Sequence, residues 1–203
     1  MRLTAVLFLS LDGVYQAPGG PSEDVAGGFA HGGWMVPFIG EDFGPPVDEW
    51  FAHASAFLLG RRTYDIFAAH WPRVGNVDPV STALNEKPKY VVTSDPAPLT
   101  WANAVKLRAP VVEAVRELKS RGDGELQVHG SGQLLRTLLE AGLVDRLRLF
   151  TTPVVLGRGK RLFGPEWSGS FELLDSTRLR SGIEIATYRP KGPVQTGSFE
   201  LPG

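Results

Sequence analysis

The segment Leu3-Thr4-Ala5-Val6-Leu7-Phe8-Leu9-Ser10 constrains the fold more than any other. It is almost continuously apolar. A strand with one wet face alternates apolar and polar residues, whereas a strand covered on both faces does not. The chain must therefore supply cover for two faces of a sheet, and helices are the usual cover. This start briefly imitates a secretory leader. Ser10 and Asp12 end the apolar run and no small-residue cleavage site follows, so a buried first strand and a cytoplasmic location are expected.

Strand and helix patterns then alternate. Asp12-Gly13 turns the chain, and residues 17–47 form a long excursion rich in Gly and Pro. Val47 to Ala56 reads as a helix with Val47, Trp50, Phe51 and Ala54 on one face. Phe57-Leu58-Leu59 reads as a short buried strand ending at Gly60, and Arg62 to Ala69 as a helix stopped by Pro72. Residues 75–88 read as a loop with room for one helical turn. Tyr90 to Thr93 and Ala104 to Leu107 follow as strands. Pro110 suits the first position of a helix striped by Val111, Val112, Val115 and Leu118. Glu125 to His129 is a strand. Gly130-Ser131-Gly132 opens a helix buried through Leu134, Leu135, Leu138 and Leu139. Val144 to Thr151 alternates, and Phe171 to Leu179 with Ile183 to Tyr188 reads as a closing antiparallel pair. The expected fold is α/β: a mostly parallel sheet with an antiparallel C-terminal edge and helices on both faces. One domain over residues 1–190 and a loose polar tail over 191–203 are expected.

Composition narrows the chemistry. A chain of 203 residues can bury roughly 70% of its unfolded surface without a metal or disulfide staple. The absence of Cys excludes disulfides, Cys-ligated zinc, iron–sulfur clusters and a cysteine nucleophile. The balance of 21 Lys+Arg against 22 Asp+Glu shows no basic excess, so no nucleic-acid partner is expected. No apolar run approaches the roughly 20 residues of a membrane helix, so no membrane partner is expected either. The four His residues lack short metal-ligand spacing, and no metal site is expected.

Three segments place small, hydroxyl or basic residues just after an apolar strand. They are Leu59-Gly60-Arg61-Arg62-Thr63, Val92-Thr93-Ser94 and Val128-His129-Gly130-Ser131-Gly132. Two of them open a helix, whose N-terminus attracts anions, so together they suit a ligand with several phosphates. Each also has a plainer reading. A Gly-rich strand-to-helix turn can be only a tight turn, and Arg61-Arg62 only a solvated helix start. Arg at a helix N-terminus opposes the dipole, however, and an anionic ligand would remove that conflict. Gly157-Arg158-Gly159-Lys160-Arg161 is not a P-loop, because no Ser or Thr follows the Lys.

Ser10-Leu11-Asp12-Gly13, Leu59-Gly60-Arg61-Arg62-Thr63-Tyr64-Asp65, His70-Trp71-Pro72, His129-Gly130-Ser131-Gly132 and the run Pro153 to Phe163 occur in this order. The combination resembles the dihydrofolate-reductase-like family typified by the C-terminal reductase domain of the bifunctional riboflavin-biosynthesis deaminase-reductase. The resemblance covers about residues 2–189. It implies a small-molecule reductase that uses NADPH, forms a homodimer and transfers a hydride to a heterocycle of pterin, pyrimidine or deazaflavin type. An NADP(H)-binding protein without catalysis, and an enzyme for another phosphorylated metabolite, fit the same turns.

By resemblance, Gly60, Arg61, Arg62 and Thr63 hold the cofactor phosphates, including the 2′-phosphate. Thr93 and Ser94 lie beside the adenosine, and Gly130, Ser131, Gly132 and Gln133 meet the pyrophosphate. Val14 and Tyr15 fall where main chain meets the nicotinamide. Thr151 is a substrate-contact candidate. Trp34 either roofs the substrate pocket or packs under its own loop. Asp48 is the candidate catalytic proton relay, or else a solvent-facing residue of the first helical turn. Gly60 follows it by only 12 positions, fewer than in dihydrofolate reductases. The zinc-ligating cysteines of the deaminase half are missing, which points to a stand-alone reductase-like branch.

Overall fold

A computed structural model describes residues 1–108, 110–165 and 167–199; the last four residues of the expected tail, 200–203, lie outside this set. In chain order the elements are β1 (Arg2–Ser10), α1 (Gly44–His53), β2 (Ala54–Gly60), α2 (Arg61–Val74), α3 (Pro79–Glu86), β3 (Lys89–Val92) and β4 (Ala104–Leu107). There follow α4 (Val111–Ser120), β5 (Glu125–His129), α5 (Gly132–Glu140), β6 (Arg146–Thr152), β7 (Ser170–Arg178) and β8 (Glu184–Gly192). The eight strands form one sheet in the order β4-β3-β2-β5-β1-β6-β8-β7. Pairings from β4 to β6 are parallel, and β8 runs antiparallel to both β6 and β7. The expected α/β sheet with its antiparallel C-terminal edge is present.

The apolar run of β1 feeds two cores. Leu3, Ala5, Leu7 and Leu9 pack with α4 and α5 through Val115, Leu118, Leu134, Leu135 and Leu138. Val6 and Phe8 join the opposite core with Val47, Trp50 and Phe51 of α1, Tyr64 of α2 and Leu84 of α3. Alternate side chains of a strand point to opposite faces, so a strand between two cores needs apolar residues at both parities.

Three local expectations are corrected. The helix expected over Val47 to Ala56 begins at Gly44 and ends at His53. Pro45 and Pro46 are tolerated in its first turn, where their missing N–H groups need no partner. Ala54 and Ala56 belong instead to β2, in register with Glu125 and Leu126; pairing with the sheet outweighs alanine's helix propensity. Pro72 lies inside α2 rather than stopping it, and the helix continues to Val74 with Gly75 beyond. Residues 79–86 form a full helix, α3, in the expected loop. Its start carries a reciprocal cap: Asp78 Oδ1 accepts the Ser81 N–H at 2.7 Å, and Ser81 Oγ accepts the Asp78 N–H at 3.2 Å.

The helices that follow β2 and β5 diverge. α2 packs on the face that carries α1, while α5 packs on the other. β2 and β5 are neighbours in the sheet. This is a topological switch point, and ligands of open α/β sheets bind beyond the carboxyl ends of the strands at such points.

Candidate functional site at the switch point

Ser131 joins the two helix starts at this switch point. Its Oγ accepts the Gly60 N–H at 2.9 Å and donates to Thr63 Oγ1 at 2.8 Å. Gly60 immediately precedes α2 and Ser131 immediately precedes α5, so one hydroxyl brings two helix N-termini together. Neither helix is capped by the side chain of its N-cap residue. Gly130 and Ser131 are both left-handed, at φ 54° and 50°. That conformation costs a non-Gly residue about 1 kcal/mol, which the two hydrogen bonds of Ser131 offset.

The other candidates fall around this bridge or beside it. Tyr15 lies against Gly132 so closely that a Cβ there would come within 2.5 Å of the ring. A Cβ on Gly60 would meet Ser131 Oγ at 3.1 Å. The side-chain space at Gly60 and Gly132 is thus taken by the protein's own Ser131 and Tyr15. Burial pushes the Tyr15 phenol above its ordinary pKa. Gln133 is exposed at the start of α5. Thr93 Oγ1 accepts the Asp95 N–H at 3.0 Å, and Ser94 is exposed beside it. The Val14 N–H donates to Ser10 Oγ, its carbonyl accepts the Ser10 N–H, and the Tyr15 N–H donates to the Lys160 carbonyl.

Both arginines have carboxylate partners. Arg61 Nε donates to Asp65 at 2.8 Å, and its Nη1 lies 2.9 Å from Asp95. The Asp65 hydrogen bond leads in raising the Arg61 pKa further. The protein's own acids thus remove the conflict between these cations and the dipole of α2. Arg62 is more exposed and contacts Asp24, which also binds Lys160. The sequence reading missed Asp24 and Lys160. Lys160 lay in the Gly-Arg-Gly-Lys-Arg run rejected as a P-loop, and Asp24 in the long excursion, where spacing carries no signal. The neighbouring Arg161 pairs with Asp12 at 2.9 Å. Burial pushes the Asp12 carboxyl up, but the Ser10 hydroxyl, the Leu156 and Gly157 amides and Arg161 hold it far below the carboxylate range.

Asp48, Trp34 and Thr151 stand apart from the bridge. Asp48 lies past the first turn of α1, half-buried, with no hydrogen bond or ion pair among the described residues. Its helix docks on β1 and β6, with the Trp50 ring 4.7 Å from Phe150 and the Phe43 ring 5.5 Å from it. Trp34 is buried in a small core with Ala17, Phe29 and Met35 of the long excursion and Val14 before it. Its indole N–H donates to the Gln16 carbonyl at 2.8 Å. Thr151 is half-buried near the end of β6, in register with Leu9 and Glu184. Thr152 is fully buried, and its hydroxyl has no hydrogen-bond partner among the described residues. Among the described residues there is no cluster of three His, Asp or Glu able to hold a metal, and no helix long and apolar enough to cross a membrane.

Residues 2–185 match the RibD C-terminal domain family. The chain belongs to that family. RibD C-terminal domains are of reductase type, and oxidoreductase is the general class of this chain. The uncharacterized protein YyaP of Bacillus subtilis (strain 168) is 26% identical over 197 residues, which is 94% of this chain and 96% of YyaP. The crystal structure of a putative riboflavin biosynthesis protein from Shewanella sp. PV-4 superposes with a TM-score of 0.70 at 21% identity, covering 94% of this chain and 99% of that one. Dihydrofolate reductase from Enterococcus faecalis, complexed with NADP(H), superposes with a TM-score of 0.62 at 15% identity, covering 93% and 96%. These two likenesses concern the fold.

Proposed function

We propose that the protein is an NADPH-dependent reductase that transfers a hydride to a small heterocycle of pterin, pyrimidine or deazaflavin type. The Ser131 bridge is the observation that carries this reading. It sets two helix N-termini side by side at the switch point, where first-turn N–H groups and helix dipoles favour an anion. The residues fit a dinucleotide with an extra phosphate. The amides that open α2 and α5, with Thr63, would hold a pyrophosphate, and Arg62 is the more available cation for a further phosphate. Thr93 and Ser94 supply hydroxyls at the end of β3, for the adenosine side. The nicotinamide, when bound, supplies the hydride. Asp48, a half-buried carboxylate without an ion-pair partner among the described residues, would hold the proton that the substrate takes up. The NADP(H) in the similarly folded E. faecalis enzyme agrees with this choice.

The test is a fluorescence titration with NADPH and NADH, followed by NADPH oxidation with a panel of such heterocycles. Tighter NADPH binding and steady turnover with one acceptor are expected. Equal affinity for the two nucleotides removes the 2′-phosphate assignment. Binding without oxidation by any acceptor makes the protein a binding module instead.

A further inference from the structure

The contacts of Arg62 are asymmetric. Only Nη1 of its guanidinium reaches Asp24, at 3.3 Å from Oδ1 and 3.2 Å from Oδ2. These bonds are long for a charge-assisted pair, and the geometry is not the parallel two-nitrogen fork that makes Arg–carboxylate pairs strong. The Arg62 side chain is 61% exposed, whereas that of Asp24 is 11% exposed.

Asp24, by contrast, is firmly held. Oδ1 accepts the Ala26 N–H at 3.2 Å, and Lys160 Nζ donates to Oδ2. The buried Gln16 fixes the segment around it. Gln16 Nε2 donates to the Asp24 and Ala26 carbonyls, each at 2.9 Å, and Oε1 accepts the Lys160 N–H at 3.1 Å. Burial pushes the Asp24 carboxyl up, but the Lys160 hydrogen bond leads the opposing contacts, and the group is held below the ordinary carboxylate range. If Arg62 leaves, Asp24 keeps an amide and an ammonium. Its departure therefore strands no buried charge, which is the usual large cost of breaking such a pair.

The position of the pair matters as well. It joins the segment following β1 to the helix following β2, and the end of β5 lies between those two strands. We infer that Asp24 is an internal anion that competes with the ligand's phosphate for Arg62, and so sets the affinity and selectivity of the site for phosphate-bearing ligands. Lys160 is the permanent partner of Asp24 and Arg62 the exchangeable one. A phosphate has more negative charge and more acceptor oxygens than a carboxylate, and it can engage the Arg62 nitrogens that Asp24 leaves free. The inference rests on the proposed reading that Arg62 serves an anion-binding ligand site.

Asp24→Asn removes the competitor. It is expected to raise NADPH affinity about fivefold at low salt, the size expected for one partly exposed charge pair. NADH affinity should rise less. In the Arg62→Gln background, Asp24→Asn should give no gain. Asp24→Glu keeps the charge and should stay near wild-type affinity, whereas damage to the loop alone would shift both variants. Hydrogen exchange over residues 17–34, measured without nucleotide, supplies a second readout: Asp24→Asn should speed it. Inorganic pyrophosphate serves as a second probe. If wild type binds pyrophosphate but not NADPH, and Asp24→Asn tightens it, the nicotinamide reading fails and the competition stands. If Asp24→Asn gains for neither probe, or gains equally without Arg62, the competition is overturned.

Discussion

The Ser131 hydroxyl donates to Thr63 Oγ1 at 2.8 Å while accepting the Gly60 N–H at 2.9 Å, so one side chain holds the first turn of α2 against the turn into α5. Ser131→Ala removes both bonds and keeps the left-handed strain. It is expected to lower stability by about 1–2 kcal/mol and to weaken NADPH binding. Ser131→Gly also loses the bonds but relieves the strain at φ 50°, so it should melt above the Ala variant. Denaturant unfolding of both variants checks the order. An Ala variant as stable as wild type would show that the bridge contributes nothing.

Arg61 and Arg62 should differ in effect, although they are adjacent. Arg61 is held by Asp65 and Asp95, and Arg62 only by the single-nitrogen contact to Asp24. Arg62→Gln is expected to cut NADPH affinity about tenfold with little change for NADH, as the loss of one charge-assisted phosphate contact does. Arg61→Gln should move both affinities by less. Parallel titrations decide, and the reverse order would reassign the phosphate contact to Arg61.

The strand and helix order was legible because each strand between two helix layers must be apolar at both parities, as in β1. The turns at Gly60 and Gly130 were legible because small residues after an apolar strand carry a local signal. The reason for Gly132 was not. It depends on Tyr15, more than a hundred residues earlier, filling the space a side chain would need. The helix α3 was hidden because Asp78-Pro79-Val80-Ser81 caps with Ser at the position where Glu is the usual signal. Asp24 was hidden for a deeper reason. Its partners Arg62 and Lys160 come from two other segments, and only the sheet order brings those segments together.

Asp48 is half-buried on α1 and free of hydrogen-bond and ion-pair partners among the described residues. A carboxylate without a structural partner can be neutralised with little effect on folding. Asp48→Asn should therefore leave stability within about 0.5 kcal/mol and cofactor affinity nearly unchanged. If Asp48 delivers the proton, turnover should fall on the order of a hundredfold, the usual scale for removing a general acid. The rate with the best acceptor, measured at several pH values, checks this. Unchanged turnover would remove Asp48 from the mechanism.

His129 gives the protein an acid sensitivity of its own. The ring is buried, stacked on Phe51 at 4.7 Å and edge-on to Phe57 at 5.6 Å. Its Nε2 lies 3.0 Å from Gln127 Oε1. Gln127 Nε2 already donates to the Trp50 carbonyl at 2.6 Å and to Glu125 Oε1 at 2.7 Å, so both amide hydrogens are used and Oε1 must accept. That fixes the neutral tautomer with hydrogen on Nε2. Burial first, and then the Arg148 charge, push the His129 pKa from 6.5 down to about 3. Below pH 6.5 the unfolded chain takes up a proton that the folded one refuses. Stability is therefore complete above that value and falls toward pH 3, by about 1.4 kcal/mol per pH unit. Between pH 7 and pH 5, mostly above the carboxylate range, His129 should account for a loss of about 2 kcal/mol. His129→Gln should flatten this slope, whatever it does to stability at pH 7, because Gln binds no proton in either state. Urea unfolding of both proteins across that window checks the difference in slope, and parallel curves would mean that His129 is protonated in the folded protein.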